Sequence, residues 1–303
     1  MIKSLNKRNK IAINGWLLID KQIGITSFQV ISELKKILTM KVGHCGTLDP
    51  FASGLLLVAI GKATKLVEYA MAMKKDYTFT VQWGASTDTD DLTGQIQETS
   101  NHIPTKDEIE EKLGHFLGAN PQIPPIFSAV KVNGRRAYDY ARKGEDIILK
   151  PKTVLLEKFS MISHSKDETT FNIVCGKGFY VRSLARDLAK SLNTLAHVKM
   201  LRRNPSGIFK NKELISSVKV KDFLHKGKLY DCIMDRILPL DYVLDDIPVH
   251  NLVLKEAIKL RNGHSISCSS SFKNNSKIAV RSEDRLIALC TFWNNYLKPI
   301  KVF

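Results

Sequence analysis

The stretch Gly43-His44-Cys45-Gly46-Thr47-Leu48-Asp49-Pro50-Phe51-Ala52-Ser53-Gly54 sets three glycines, a proline and one carboxylate directly before the apolar run Leu55 to Ile60. Glycine reaches backbone angles that other residues resist, and proline fixes its own φ and restrains the residue before it. A loop built this way holds Asp49 in one place. Asp before Pro ordinarily starts a turn, but a plain solvent turn has no use for so much restraint. The stretch reads as a site.

Outward from that loop, Gly15-Trp16-Leu17-Leu18-Ile19-Asp20 reads as a short buried strand closed by a turn at Gly24. Thr26 or Ser27 caps a helix with the apolar stripe Phe28, Ile31, Leu34 and Leu38. Leu55 to Ile60 is a second strand. Tyr77 to Trp83 alternates, with Tyr77, Phe79, Val81 and Trp83 on one face. An acidic stretch, Asp88 to Asp91, follows. Thr105 and Glu108 make a capping box for a helix carrying Ile109, Leu113, Phe116 and Leu117, with Gly118 as its stop. Phe171 to Cys175 alternates again, and Gly176-Lys177-Gly178 turns it into a helix with Val181, Leu184 and Leu188 inward. Arg182 and Arg186 share one face of that helix.

Residues 121–152 differ from the rest. Pro121, Pro124 and Pro125 open a segment in which Lys131, Arg135, Arg136, Arg142, Lys143, Lys150 and Lys152 interleave with Tyr138 and Tyr140. That mixture suits phosphate contact plus base stacking, although exposed charges of this kind are ordinary on a solvated insertion. From about Leu240 short apolar runs surround the Ser/Asn-rich stretch Ser265 to Ser276, the pattern of a small, mostly β C-terminal domain. Strands mixed with segregated helices make the fold class α+β rather than doubly wound.

The chain of 303 residues carries 46 Lys and Arg against 30 Asp and Glu, a formal net charge of +16. A balance this basic points to a polyanion, nucleic acid before membrane. With 44% hydrophobic residues, the chain has the means to build a core. Cys45, Cys175, Cys232, Cys268 and Cys290 are widely spaced, with no C-x-x-C pair. That argues against a zinc site or a disulfide framework and for a reducing cytosol. Met1 to Lys10 is basic without a signal-peptide apolar core, and no stretch has the ~20 apolar residues of a membrane span. The expected location is cytoplasmic.

The Asp49 loop resembles the catalytic loop of the TruB family of tRNA pseudouridine synthases, usually Gly-His-Thr-Gly-Thr-Leu-Asp-Pro. Similar motifs recur in order along residues 15 to 240. They are Gly15 to Lys21, Gly61-Lys62-Ala63-Thr64-Lys65, Lys74-Lys75-Asp76-Tyr77, Thr87 to Asp91, Ile123 to Lys131, Gly176 to Ser183 and Leu201-Arg202-Arg203. The resemblance implies a pseudouridine synthase fold, with a central mixed, mainly antiparallel sheet flanked by helices. It implies a catalytic domain over 1–240 with an RNA-binding insertion at about 121–152, and a PUA-like RNA-binding domain over 241–303. The implied reaction is isomerisation of uridine 55 in the T arm of tRNA, without cofactor or metal, by a monomer that needs no protein partner.

Residue by residue, the resemblance makes Asp49 the catalytic carboxylate, Arg182 the arginine that pairs with it, and Tyr77 the active-site tyrosine that stacks on the flipped base. Tyr180 and Leu201 match pocket positions, and His44 the histidine that fills the space of the extruded base. Lys21 and Lys65 match motif positions near the loop, structural or phosphate-facing, and Asp91 an acid near the site. The chemistry suits these types. Breaking and remaking a glycosidic bond calls for a carboxylate near C1′, and with an ordinary pKa of about 3.9 Asp49 needs no base to ionise it. Cys45 departs from the family's Thr, which raises the expectation of an oxidation-sensitive loop.

Competing readings are a non-catalytic RNA-binding protein on the same scaffold, the relative that works inside guide-RNA particles, and a glycosidase. Retention of Asp49, Tyr77 and Arg182 speaks against the first, and the absence of long lysine-rich tails against the second. A glycosidase needs two cooperating carboxylates, for which Asp91 is the nearby candidate. Gly54 and Gly61-Lys62-Ala63 miss the P-loop spacing, with Ala in place of Ser/Thr.

Overall fold

The computed structural model describes residues 13–38, 40–225 and 233–303. The readings placed on Met1 to Lys10 and on Cys232 lie outside these residues.

Strand β1 (Gly15–Lys21) pairs antiparallel with β3 (Ser53–Ile60), and β2 (Val42–His44) pairs antiparallel with the far half of β3. Both long strands are buried on two faces, which is why they read as continuous apolar runs. Leu17, Ile19, Leu56, Val58 and Ile60 pack with Val30, Ile31 and Leu34 of helix α1 (Ser27–Ile37). Trp16, Leu18, Leu55, Leu57 and Ala59 face the other way. Thr26 caps α1 in a capping box with Gln29. Phe28, expected on the buried stripe, is 69% exposed. Val30 takes the core position instead, because the helix phase is set by the packing of Ile31 and Leu34.

A short 3-10 turn (Gly61–Leu66) and α2 (Val67–Ala72) lead to β4 (Lys75–Trp83). After it come the hairpin β5 (Ala85–Thr87) and β6 (Ile96–Thr99), α3 (Lys106–Leu113) and β7 (Gly118–Gln122). The Thr105–Glu108 capping box forms as read. The helix ends at Leu113, however, and passes through a 3-10 turn (Gly114–Phe116), so Gly118 opens β7 at φ +91° rather than stopping a helix. Leu117, read as core, is exposed. The basic insertion folds as a small hairpin, β8 (Lys131–Val132) and β9 (Arg135–Arg136), with α4 (Ala137–Ala141).

The chain returns through β10 (Lys152–Ser165), β11 (Glu168–Cys175), α5 (Val181–Ser191), β12 (Ala196–Asn204), β13 (Ile215–Ser216) and α6 (Ser217–His225). Among the described residues the main sheet has nine strands in the order β13-β1-β3-β12-β4-β11-β10-β7, with β2 on β3. It is mainly antiparallel. One exception lies at its centre, where β12 runs parallel to β3 and pairs Arg202 with Ser53 and Arg203 with Gly54. That seam joins two halves of the sheet at the end of the Asp49 loop.

The remainder forms a five-stranded sheet of β14 (Val249–Asn251), β15 (Ile266–Ser267), β16 (Lys277–Ser282), β17 (Arg285–Trp293) and β18 (Tyr296–Val302), with helix α7 (Leu254–Arg261). It shares a core with the main sheet. Ala279, Leu286, Leu289 and Phe303 pack with Trp16, Leu18, Leu57 and Leu66.

Candidate active site

The loop that carries Asp49 is tied at every turn. His44 ends β2 opposite Val58, and the Cys45 N–H donates to Leu57 O at 2.8 Å. Gly46 takes φ +88°. The Leu48 N–H donates to Ser27 Oγ, whose hydroxyl returns a bond to Leu48 O, both groups buried. The Gly24 N–H donates to Pro50 O, and the Ala52 N–H to Asp49 O. At Gly54, φ +99°, an added Cβ would meet Arg203 O at 2.1 Å, so glycine is what lets β3 and β12 meet.

Asp49 projects from this frame with its side chain 34% exposed, and its Oδ2 lies 3.0 Å from Arg182 Nε. Arg182 itself is buried. Its Nη1 donates to Thr89 O at 2.8 Å and its Nη2 to Phe127 O at 2.9 Å. Asp91 stands behind it, with Oδ2 3.5 Å from Nη1. The other Asp91 oxygen accepts from the Thr89 hydroxyl and from the Thr93 N–H and hydroxyl. Asp91 is 3% exposed. It braces Arg182 and does not reach the open side. Burial pushes the Asp49 carboxyl above its ordinary value; Arg182 pulls it back and Asp91 adds a push upward. Ionised Asp49 thus depends on Arg182 more than its ordinary pKa implies.

Lys21 is fully buried at the end of β1. Its ammonium donates to Gln22 O and Ile25 O, with Pro50 O at 3.4 Å, and so holds the loop from below. Burial lowers its pKa to about 8, against the pull of Asp49. Lys65 is not brought to this cluster. The eight residues of β3, at roughly 3.3 Å each, separate it from the loop. Its ammonium donates to Val302 O at 2.7 Å beside the Phe303 ring.

Tyr77, half-buried on β4, pairs in register with Arg203 on β12 and Ile173 on β11. Burial raises its pKa, and the neighbouring Arg203 guanidinium opposes that. Tyr180 caps α5. Its N–H donates to Gln122 Oε1 and its carbonyl accepts from Gln122 Nε2. Burial raises its pKa too, with Ser128 and Arg182 acting against the shift. Leu201 is buried opposite Phe79, inside the core cluster that contains Leu48 and packs against Tyr77. Burial and, less strongly, Arg203 lower the His44 pKa, and its Nδ1 is buried with no hydrogen-bond partner among the described residues. Cys45 is buried and its thiol is pushed up to about 12, which makes it inert rather than oxidation-sensitive.

The structure thus gathers Asp49, Arg182, Asp91, Tyr77 and Lys21 around one loop and leaves Lys65 in the 3-10 turn beyond the far end of β3. Arg203 joins the cluster without having been singled out. It closes the motif Leu201-Arg202-Arg203 and shares the buried parity of Leu201, two residues earlier on β12. Among the described residues no group of three or more His, Cys, Asp or Glu side chains converges as metal ligands would.

This sheet is that of the pseudouridine synthases. A Cbf5-Nop10-Gar1 complex contains a chain that superposes with a TM-score of 0.71 at 25% identity, over 95% of this chain and 84% of that one. Residues 35–181 match the profile described as TruB family pseudouridylate synthase (N terminal domain), and residues 182–245 that of the tRNA pseudouridylate synthase B C-terminal domain. The tRNA pseudouridine synthase B of Ehrlichia ruminantium (strain Gardel) is 42% identical over 95% of this chain and 99% of its own length. That of Zymomonas mobilis is 42% identical over 84% and 85%. The chain belongs to the TruB family of pseudouridylate synthases. Among the described residues no helix is long and apolar enough to cross a membrane.

Proposed function

We propose that this protein isomerises uridine to pseudouridine in tRNA, at position 55 of the T arm, with Asp49 as the catalytic carboxylate. One observation carries the reading: Asp49 is the acid left open to solvent while its partners Arg182 and Asp91 are buried behind it. Asp49 acts at C1′, as a base toward the sugar or as a nucleophile, while the C1′–N1 electron pair leaves with the uracil. The base turns and C5 bonds to C1′, while Asp49 leaves C1′ with its bond pair or, having acted as a base, returns the proton to the sugar. The C5 proton is then lost to the Tyr77 oxygen, its bond pair restoring the C5–C6 double bond, and N1 takes up a proton from solvent.

The target base is stacked in a folded arm and must be flipped out, at a cost of a few kcal/mol. His44, on the strand that leads into the loop, would fill the space it leaves. Residues 1–240 would serve catalysis, and the insertion at about 121–152 and residues 241–303 would bind RNA. The enzyme would act in the cytosol as a monomer. Asp91 weakens the glycosidase alternative. One of its oxygens already accepts from three donors and the other faces Arg182, so it offers no second acid.

The test is incubation with an unmodified tRNA transcript and mapping of pseudouridine by carbodiimide chemistry. A single new stop at position 55 is expected. A stop elsewhere would overturn the T-arm assignment, and no stop would overturn the activity.

A further inference from the structure

Arg203 is 4% exposed, and among the described residues no carboxylate pairs with it. A buried cation without a counter-ion is costly, and such groups usually sit where charge is used. Its Nε donates to Leu55 O, and its Nη2 lies 3.4 Å from Gly46 O. A Cβ on Gly46 would already stand 3.2 Å from Nη1. The guanidinium is therefore wedged between the Asp49 loop and β4, where Arg203 and Tyr77 are register partners. Arg202, the next residue back, points to the opposite face and pairs with Asp20 at 3.1 Å.

An RNA phosphate cannot reach a guanidinium so deeply enclosed. The side chain it can serve is Tyr77. We propose that Arg203 is the positioning residue of this active site: it aims the Tyr77 oxygen and favours negative charge on it, while anchoring the catalytic loop at Gly46. The proposal rests on the reading of Tyr77 as the acceptor of the C5 proton.

The groups that face Tyr77 are Arg203 from β12, Cys175 from β11 and Asp49 from the loop. The Cys175 thiol is pushed up to about 12 and stays protonated near neutrality. Asp49 disfavours negative charge on the tyrosine, so Arg203 is the group that favours it. A phenolate accepts the C5 proton and becomes a phenol, which returns that proton to solvent in the next cycle. Without Arg203, burial and Asp49 both oppose the phenolate, and the step waits for higher pH.

The test compares Arg203→Gln, Arg203→Lys and Tyr77→Phe with the wild type, in single-turnover rates at saturating enzyme from pH 6 to about 10 and in tRNA affinity. A loss of about a hundredfold is expected for Arg203→Gln, the scale of a disabled acid–base group. The loss should shrink as pH rises, with affinity unchanged. Arg203→Lys should recover part of the rate, since it keeps the charge without the fork. Added to Tyr77→Phe, the Gln change should cost little more.

The fluorine resonance of fluorotyrosine at position 77, assigned by its absence in Tyr77→Phe, should titrate at higher pH in Arg203→Lys. That readout holds even if the Gln variant fails to fold. An unshifted resonance and a uniform rate loss at every pH would overturn the proposal and leave Arg203 as packing. Weakened affinity with an intact saturated rate would overturn it in favour of RNA contact. Wild-type turnover in Tyr77→Phe would instead overturn the reading of Tyr77 itself.

Discussion

Arg182 meets Asp49 edge-on, Nε to Oδ2 at 3.0 Å, and spends its two terminal nitrogens on the carbonyls of Thr89 and Phe127. Phe127 belongs to the start of the basic insertion and Thr89 to the acidic turn. One guanidinium therefore sets the acid and both flanking loops at once. The next turn of α5 repeats the pattern: Arg186 pairs with Asp90 at 2.9 Å and donates to Ile123 O.

Arg182→Lys keeps the charge and loses the fork. The Thr89 and Phe127 carbonyls are left without their donors in a buried site, at about 1–3 kcal/mol each. We expect a lower melting temperature together with a rate loss of at least a hundredfold, about the size of a lost acid–base group. Thermal melts and single-turnover rates check the two effects, and near-normal turnover would show that a point charge suffices.

Asp49→Asn should abolish isomerisation while tRNA affinity stays within a few-fold. The change is nearly isosteric and removes the charge that Arg182 faces. Wild-type turnover in a folded Asn variant would remove Asp49 from the chemistry. In the wild type the acid limb of the rate should lie above the ordinary carboxylate range near pH 4, because burial raises the Asp49 pKa.

Lys21 and Lys75 both have pKa values lowered to about 8, chiefly by burial. Between that value and their ordinary 10.5 the unfolded chain binds more protons than the folded one, so these two groups make stability rise with pH across that window. Urea unfolding at pH 7.5 and 9.5 should show a smaller gain in Lys75→Met than in the wild type. Equal gains would mean that Lys75 does not titrate there.

Neutralising Arg135, Arg136, Arg142 and Lys143 together should weaken tRNA binding and flatten its salt dependence, since fewer counter-ions are released. The loss should fall short of four full phosphate contacts. Arg135 is already engaged by Glu145 at 3.4 Å and lies 4.2 Å from the Tyr140 ring, while Arg136 and Arg142 cover Tyr138. Titration of tRNA at several salt concentrations measures the slope. An unchanged slope would move the binding surface elsewhere.

What the sequence disclosed was whatever is encoded over a few residues. The Thr105–Glu108 box, the alternation of β11, the inward face of α5 and the restraint on Asp49 are local patterns with local causes. Phe28 and Gly118 were misread because neighbouring packing, not propensity, decided where α1 turned its face and where α3 stopped. The tyrosines of the insertion looked free to stack on bases, yet arginines already lie over their rings. Lys65 found its partner at Val302, a contact no nearby residue announces. Arg203 stood in a quoted motif, but its burial was hidden for the same reason, since it depends on Gly46 and Leu55 coming to it from far along the chain.

The parallel seam has a kinetic consequence. Gly54 and Arg203 touch from far apart in the chain, and the neighbouring Arg203–Leu55 bond spans a sequence separation of 148, so closing the seam means closing a very long loop. Contacts of such separation form late and slowly. Asp49 can be fully translated, and β1 and β3 already zipped into a hairpin-like unit, while the arginines that complete the cluster have yet to leave the ribosome. Maturation of the enzyme is thus gated by the arrival of residues 182–204, and no early folding intermediate of this chain will be catalytically competent.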